Sequence, residues 1–186
     1  EEFARHSSVP VINGLTDRYH PAQVLSDCYT ILKHKKTFDG RKIVYIGDGN
    51  NVCNSLIRGV SILGGSLTVG CPQGYDPTVE GAVEVVHDPA EAVRDADVLY
   101  TDVWTSMGAE AEAEERRRNF SAFQLNEALL RNARPDAIVM HCLPAHRGEE
   151  ITDYVMDCPQ SIVFEQAQNR LYVQQALMTE IFGNLK

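Results

Sequence analysis

Short apolar runs rich in β-branched residues recur along the chain, and each gives way to a turn and then to apolar positions at helical spacing. Lys42-Ile43-Val44-Tyr45-Ile46-Gly47 is the first such run, and the segment 51–63 behind it reads as a helix stopped by Gly64-Gly65. Ser66-Leu67-Thr68-Val69, Val83-Glu84-Val85-Val86, Val98-Leu99-Tyr100-Thr101, Asp136-Ala137-Ile138-Val139-Met140 and Ser161-Ile162-Val163-Phe164 read as further strands. The spacing of Leu25, Cys28, Tyr29 and Leu32 predicts a helix over 17–36, with Pro21 tolerated in its first turn. Further helices are predicted over 89–95, from Ser121 onward, and from about 168 to 182. Near-continuous apolar strands alternating with helices imply an α/β fold, a doubly wound, Rossmann-like parallel sheet of about five strands with helices on both faces.

That architecture says where chemistry should sit, because open α/β sheets bind ligands in the crevice beyond the carboxyl ends of their strands. The chemically dense segments do follow strands: Gly47-Asp48-Gly49-Asn50-Asn51, then 102–108, then His141-Cys142-Leu143-Pro144, then 165–170.

Composition narrows the classes. At 186 residues the chain is long enough for one large domain and short for two. Hydrophobic content of 44% and charged content of 23% are ordinary for a globular protein. A net charge of -9 argues against broad binding to nucleic acid or anionic membrane, while leaving room for a local basic pocket. No apolar run approaches the roughly 18 residues of a membrane span, and Glu1-Glu2-Phe3 lacks the features of a signal peptide. The five cysteines, Cys28, Cys53, Cys71, Cys142 and Cys158, include no CxxC pair and cannot all pair within one chain, which suits free thiols in a reducing, cytoplasmic setting. The opening residues read as the end of a helix already under way, so a fragment is expected.

Each motif has a plain reading beside a functional one. Gly47-Asp48-Gly49 invites a dinucleotide-binding reading, yet Val52 stands at the third glycine position, and Val69-Gly70-Cys71 occupies the place of the ribose-binding carboxylate. The glycines could equally serve a tight turn. The loop from Asp102 to Gly108 offers a carboxylate to an ammonium group, or is a capping turn with Trp104 and Met107 as core contacts. His141-Cys142-Leu143-Pro144-Ala145-His146-Arg147-Gly148-Glu149-Glu150 allows packing, a metal at Cys142 and His146, or thiol chemistry; no metal and no cofactor is expected. His20 and Gln23 share a helix face and could donate together to a carbonyl or phosphate oxygen, or be solvated. Arg170 near a helix start could meet an anion, or lie on the surface. The charge run 110–118 reads as a solvated helix face without functional weight.

Taken together and in order, these motifs resemble the aspartate/ornithine carbamoyltransferase family, from Val9-Pro10-Val11-Ile12-Asn13-Gly14-Leu15 through Asn169-Arg170. Within the family, Ser106-Met107-Gly108 and His141-Cys142-Leu143-Pro144 are similar to the ornithine enzymes. The resemblance implies an interdomain helix and the end of an amino-terminal half over 1–36, an ornithine-binding domain over 37–167, and a helix over 168–186 returning to the amino-terminal half. It implies that Asn51, Asp102, Ser106 and Met107 hold ornithine, and that Cys142 and Leu143 lie where two substrates meet. His20, Gln23 and Arg170 match positions for carbamoyl phosphate, and Cys142 with His20 would act in catalysis. The implied reaction is attack of the neutral δ-amine of ornithine on the carbamoyl carbon, giving citrulline and phosphate, in a homotrimer.

One departure bears on all of this. The family grips phosphate with a Ser-Thr-Arg-Thr loop, and no such segment occurs in the sequence. The chain alone is therefore expected to turn over little or not at all. Rival expectations are an amino-acid-binding module without catalysis and a nicotinamide-dependent oxidoreductase domain, and putrescine or acylated ornithine are rivals to ornithine as the amine.

Overall fold

The computed structural model describes residues 2–105 and 110–183. After a short helix α1 (Glu2–His6) and an extended stretch, the chain enters α2 (Pro21–Lys35). The predicted start at residue 17 is early by about one turn, because His20 precedes a proline and is pushed out of the helical region, to φ -131° and ψ 64°. Then follow β1 (Ile43–Ile46), α3 (Asn51–Ile62), β2 (Leu67–Gly70), β3 (Val83–Val86), α4 (Pro89–Val93) and β4 (Val98–Thr101). The remainder comprises α5 (Ala113–Phe120), a 3-10 turn Ser121–Phe123, α6 (Glu127–Leu130), β5 (Ile138–His141), α7 (Asp153–Asp157) and α8 (Val163–Gly183). No helix among the described residues is long and apolar enough to cross a membrane.

All strand pairs are parallel, and the order is β3-β2-β1-β4-β5. Alternation along the strands divides the core in two. Ile43, Tyr45, Val98, Tyr100, Ile138 and Met140 face α2 and α3, whereas Val44, Ile46, Leu99 and Val139 face α4, α6 and α7. Both faces are covered, which is why these strands read as unbroken apolar runs. The chain leaves β1 toward β2 on one side and reaches β4 on the other, so the topological switch point lies beyond the carboxyl ends of β1 and β4.

The sixth apolar run does not form a strand. Ser161 makes a single bridge to Val139, and α8 starts at Val163, five residues before the predicted start. The inward positions of α8 are Val163, Gln166 and Asn169, at helical spacing but two of them polar, so a search for apolar periodicity passes over them. The helix lies along α2, with Leu171, Tyr172 and Phe182 of its outer face exposed.

Candidate active site at the switch point

Three loops converge beyond the strand ends. The turn after β1 begins at Gly47, whose φ of 146° suits glycine. Gly49 follows, and a Cβ there would lie 2.4 Å from the Pro77 nitrogen and 2.5 Å from the Asp76 carbonyl carbon. The space that a dinucleotide's pyrophosphate would need against this glycine is filled by the chain's own backbone, tied down by the Gly49 N–H donating to the Tyr75 carbonyl at 2.9 Å. Asn50 then caps α3, its Oδ1 accepting from the amides of Val52 and Cys53 at 3.0 Å each. The glycines serve close packing, and the helix start is already capped.

The second loop brings Asp102, buried and held on both oxygens. Oδ2 accepts from Asn50 Nδ2 at 2.8 Å; Oδ1 accepts from its neighbour's amide, Val103 N, at 2.8 Å and from Cys142 Sγ at 2.8 Å. The third loop supplies Cys142 directly after β5. Burial first, then the Asp102 carboxylate beside it, pushes the Cys142 thiol far above its ordinary range, so the sulfur is a protonated donor at neutral pH. The loop beyond it is fixed from below. The Leu143 N–H donates to His141 Nδ1 at 2.9 Å, which leaves the His141 Nε2 proton for Glu150 Oε1 at 3.0 Å in a fully buried pair.

Beneath these loops lies a second polar group. Asp27 of α2 accepts from Tyr100 Oη at 2.9 Å, Gln166 Nε2 at 2.7 Å and Gln23 Nε2 at 3.0 Å. Burial raises its carboxyl to about 6 despite those donors and the nearby Arg170. Gln166 reaches further, accepting the His141 amide at 2.9 Å, and Asn169 donates to Thr30 at 2.9 Å.

His20 ends the approach to α2, its amide donating to Ser55 Oγ at 2.8 Å. Its imidazole is held below its ordinary pKa, chiefly by burial and then by the charge of Arg170, against the opposing pull of a Gly14 backbone contact and of Asp102. Two buried nitrogens at this rim, His20 Nδ1 and Arg170 Nε, have no hydrogen-bond partner among the described residues. Unpaired buried donors or acceptors cost about 1–3 kcal/mol each, which makes such a pair a place for a ligand.

The structure thus gathers His20, Asp102, Cys142 and Arg170 in one electrostatic neighbourhood. Gln23 is buried and turned toward Asp27. Asn51 spends its amide on the Thr16 carbonyl at 2.8 Å, and it is the preceding Asn50 that meets Asp102. Leu143 packs on the α4, α6 and α7 side of the core. Ser106 and Met107 lie outside the described residues. The charge run contains one residue that a solvated face does not explain. Arg116 reaches Asp48 at 2.7 Å and the Trp104 carbonyl at 3.0 Å, and stacks over Tyr75, so it joins the first two loops. Asn50 had a legible signal in its place before the helix; Arg116, Tyr100 and Gln166 had none.

The chain is similar to known proteins over its whole length. A family model described as "Aspartate/ornithine carbamoyltransferase, Asp/Orn binding domain" matches residues 39–181, and one described as the family's "carbamoyl-P binding domain" matches 1–33. An ornithine carbamoyltransferase of Thermococcus kodakarensis is 53% identical over the whole chain, and one of Syntrophus aciditrophicus is 55% identical over 96% of it. The solved ornithine carbamoyltransferase of Pyrococcus furiosus superposes over the whole chain with a TM-score of 0.94 at 50% identity. The chain spans 63% of the length of the first and third of these and 62% of the second.

Proposed function

The chain belongs to the aspartate/ornithine carbamoyltransferase family, and from that premise we propose that it forms the amine-binding wall of an enzyme that transfers the carbamoyl group of carbamoyl phosphate to the δ-amine of ornithine. The observation that carries the reading is the rim itself: a held carboxylate and thiol at a switch point, with His20 in the field of both Asp102 and Arg170 and with one nitrogen of His20 and one of Arg170 unpaired among the described residues.

In this reading Asp102, with Asn51, Ser106 and Met107, holds the amino-acid end of ornithine, and Arg170 takes the phosphate oxygens. The geometry favours different duties within the catalytic pair. Cys142, as a protonated thiol donating to Asp102, orients the amine and Asp102 and does not accept a proton. His20, neutral near pH 7, is placed to interact with the carbamoyl carbonyl, where charge grows in the tetrahedral transition state. Gln23 contributes through Asp27 as well as toward the carbonyl, and Leu143 closes the site where the substrates meet. The amine, with an ordinary pKa near 10, first sheds a proton to solvent and attacks in its neutral form; the new C–N bond forms, phosphate leaves with the C–O bonding pair, and the departing phosphate takes the second proton that the nitrogen gives up. A homotrimer in the cytoplasm is part of the same proposal.

The test is a citrulline assay paired with calorimetry. The 186-residue chain alone should bind ornithine and turn over negligibly, and should gain activity when joined to a carbamoyl-phosphate-binding domain with a Ser-Thr-Arg-Thr loop. Absence of ornithine heat together with absence of activity in the joined protein overturns the reading. Full turnover by the chain alone overturns the need for the other wall.

A further inference from the structure

A second cluster of metal-ligating side chains lies outside this site. β2 and β3 pair with Gly70 opposite Val86, so the next residue on each, Cys71 and His87, emerge side by side. Asp76 joins them from the loop between, which is braced by the Tyr75 amide on the Pro72 carbonyl at 3.2 Å and by the Gly49 amide on Tyr75. The Cys71 sulfur, a His87 ring nitrogen and an Asp76 oxygen all lie within 4.8 Å of one another.

We propose that Cys71, Asp76 and His87 form a binding site for a divalent cation of the zinc class, with water completing the shell. His87 Nδ1 meets the Cys71 carbonyl at 2.9 Å, which places the ring proton there and turns the Nε2 lone pair toward Asp76. That is the usual way a ligating histidine is oriented by its other nitrogen. Nε2 stands 3.7 Å from Asp76 Oδ1, too far for a hydrogen bond. It is close to the edge of a tetrahedron of ligands each about 2.0–2.3 Å from a zinc ion, roughly 3.3–3.7 Å. Thiolate, imidazole and carboxylate together select zinc over magnesium or calcium. Binding forms a metal–sulfur bond and displaces the thiol proton to solvent. The buried sulfur lies at the base, with the half-exposed His87 and Asp76 at the mouth. The ion would lock the 71–77 loop against Gly49 and so stiffen the wall that carries Asn50. The inference is independent of the carbamoyl-transfer reading, and it departs from the expectation of no metal, which weighed only the cluster around Cys142.

Cobalt(II) titration of the full chain tests it. About one equivalent should bind with a thiolate-to-cobalt charge-transfer band. His87→Ala and Asp76→Asn, at exposed positions, should each weaken binding at least about ten-fold with the circular dichroism unchanged. Cys71→Ser should abolish the band, and Cys142→Ser should leave it. Absence of a thiolate band in the unmodified chain overturns the site. So does undiminished binding in His87→Ala, which would mark His87 and Asp76 as a simple ion pair, and so does a band lost only in Cys142→Ser.

Discussion

Two buried polar regions occupy the same end of the sheet, and they are built on different terms. Around Asp27 every donor is aimed inward: Tyr100, Gln166 and Gln23 on one carboxylate, Gln166 onward to the His141 amide, Asn169 to Thr30. Around Asp102 the carboxylate is equally well held by Asn50, Val103 and Cys142. Yet His20, which feels the Asp102 charge, and Arg170, whose charge reaches both His20 and Asp27, keep nitrogens without partners among the described residues. Burial is therefore a poor guide to function here. What separates a brace from a binding wall is whether the polar inventory closes on itself.

Breaking the comparison at its functional end should have the largest effect. In the joined enzyme, Asp102→Asn should lower kcat/KM for citrulline formation by roughly 10²–10³-fold, the scale of removing one electrostatic contact in a transition state. A change under three-fold would place Asp102 among the braces.

At the other end, Asp27 makes a stability prediction with a definite sign. Its folded pKa of about 6 lies above its unfolded value of 3.8. The folded state thus holds the proton more tightly, and the benefit is complete below pH 4 and lost as pH rises through 6. About two pKa units correspond to about 3 kcal/mol. Denaturant melts should show unfolding free energy falling by that order between pH 4 and 6, and Asp27→Asn should flatten this segment; parallel curves for the two proteins would refute it.

Arg170→Lys keeps the charge but loses the planar fork, so carbamoyl phosphate should bind about ten-fold more weakly, with little change in melting temperature. Equal affinity would move Arg170 off the phosphate. The smallest effects sharpen the adjacent asparagines. Asn50→Ala removes a helix cap and a hold on Asp102 and should cost about 1–2 kcal/mol. Asn51→Ala should cost only a few tenths, as for other surface changes, and should raise the ornithine KM if its proposed role holds.

Much of this molecule could be read before it was seen, for definite reasons. Strands covered on both faces must be apolar throughout, so Ile43–Ile46, Val98–Thr101 and Ile138–His141 announce themselves. The switch-point rule then directs attention to Asp102 and Cys142, which do meet. What stayed hidden depends on long-range pairing. Gln166 and Asn169 are polar residues on a buried helix face, justified only by Asp27 and Thr30 far earlier in the chain. Arg116 sits in a charge run whose other members from 111 to 118 are exposed or half-exposed, and only the fold sets it against Asp48. Cys71 and His87 become neighbours through strand register, which no local spacing encodes.

The packing of α8 on α2 has a kinetic meaning as well. The contacts Asp27–Gln166 and Thr30–Asn169 each join residues 139 positions apart. Closing a loop of that length costs about 4 kcal/mol of chain entropy before any bond is made. Such contacts are rewarded only once the intervening sheet exists, so the helix pair should dock late. His20 leads into one of these helices and Arg170 rides on the other. The anion binding proposed for the pair would then report completed folding, silent in every species whose α2 and α8 have yet to meet.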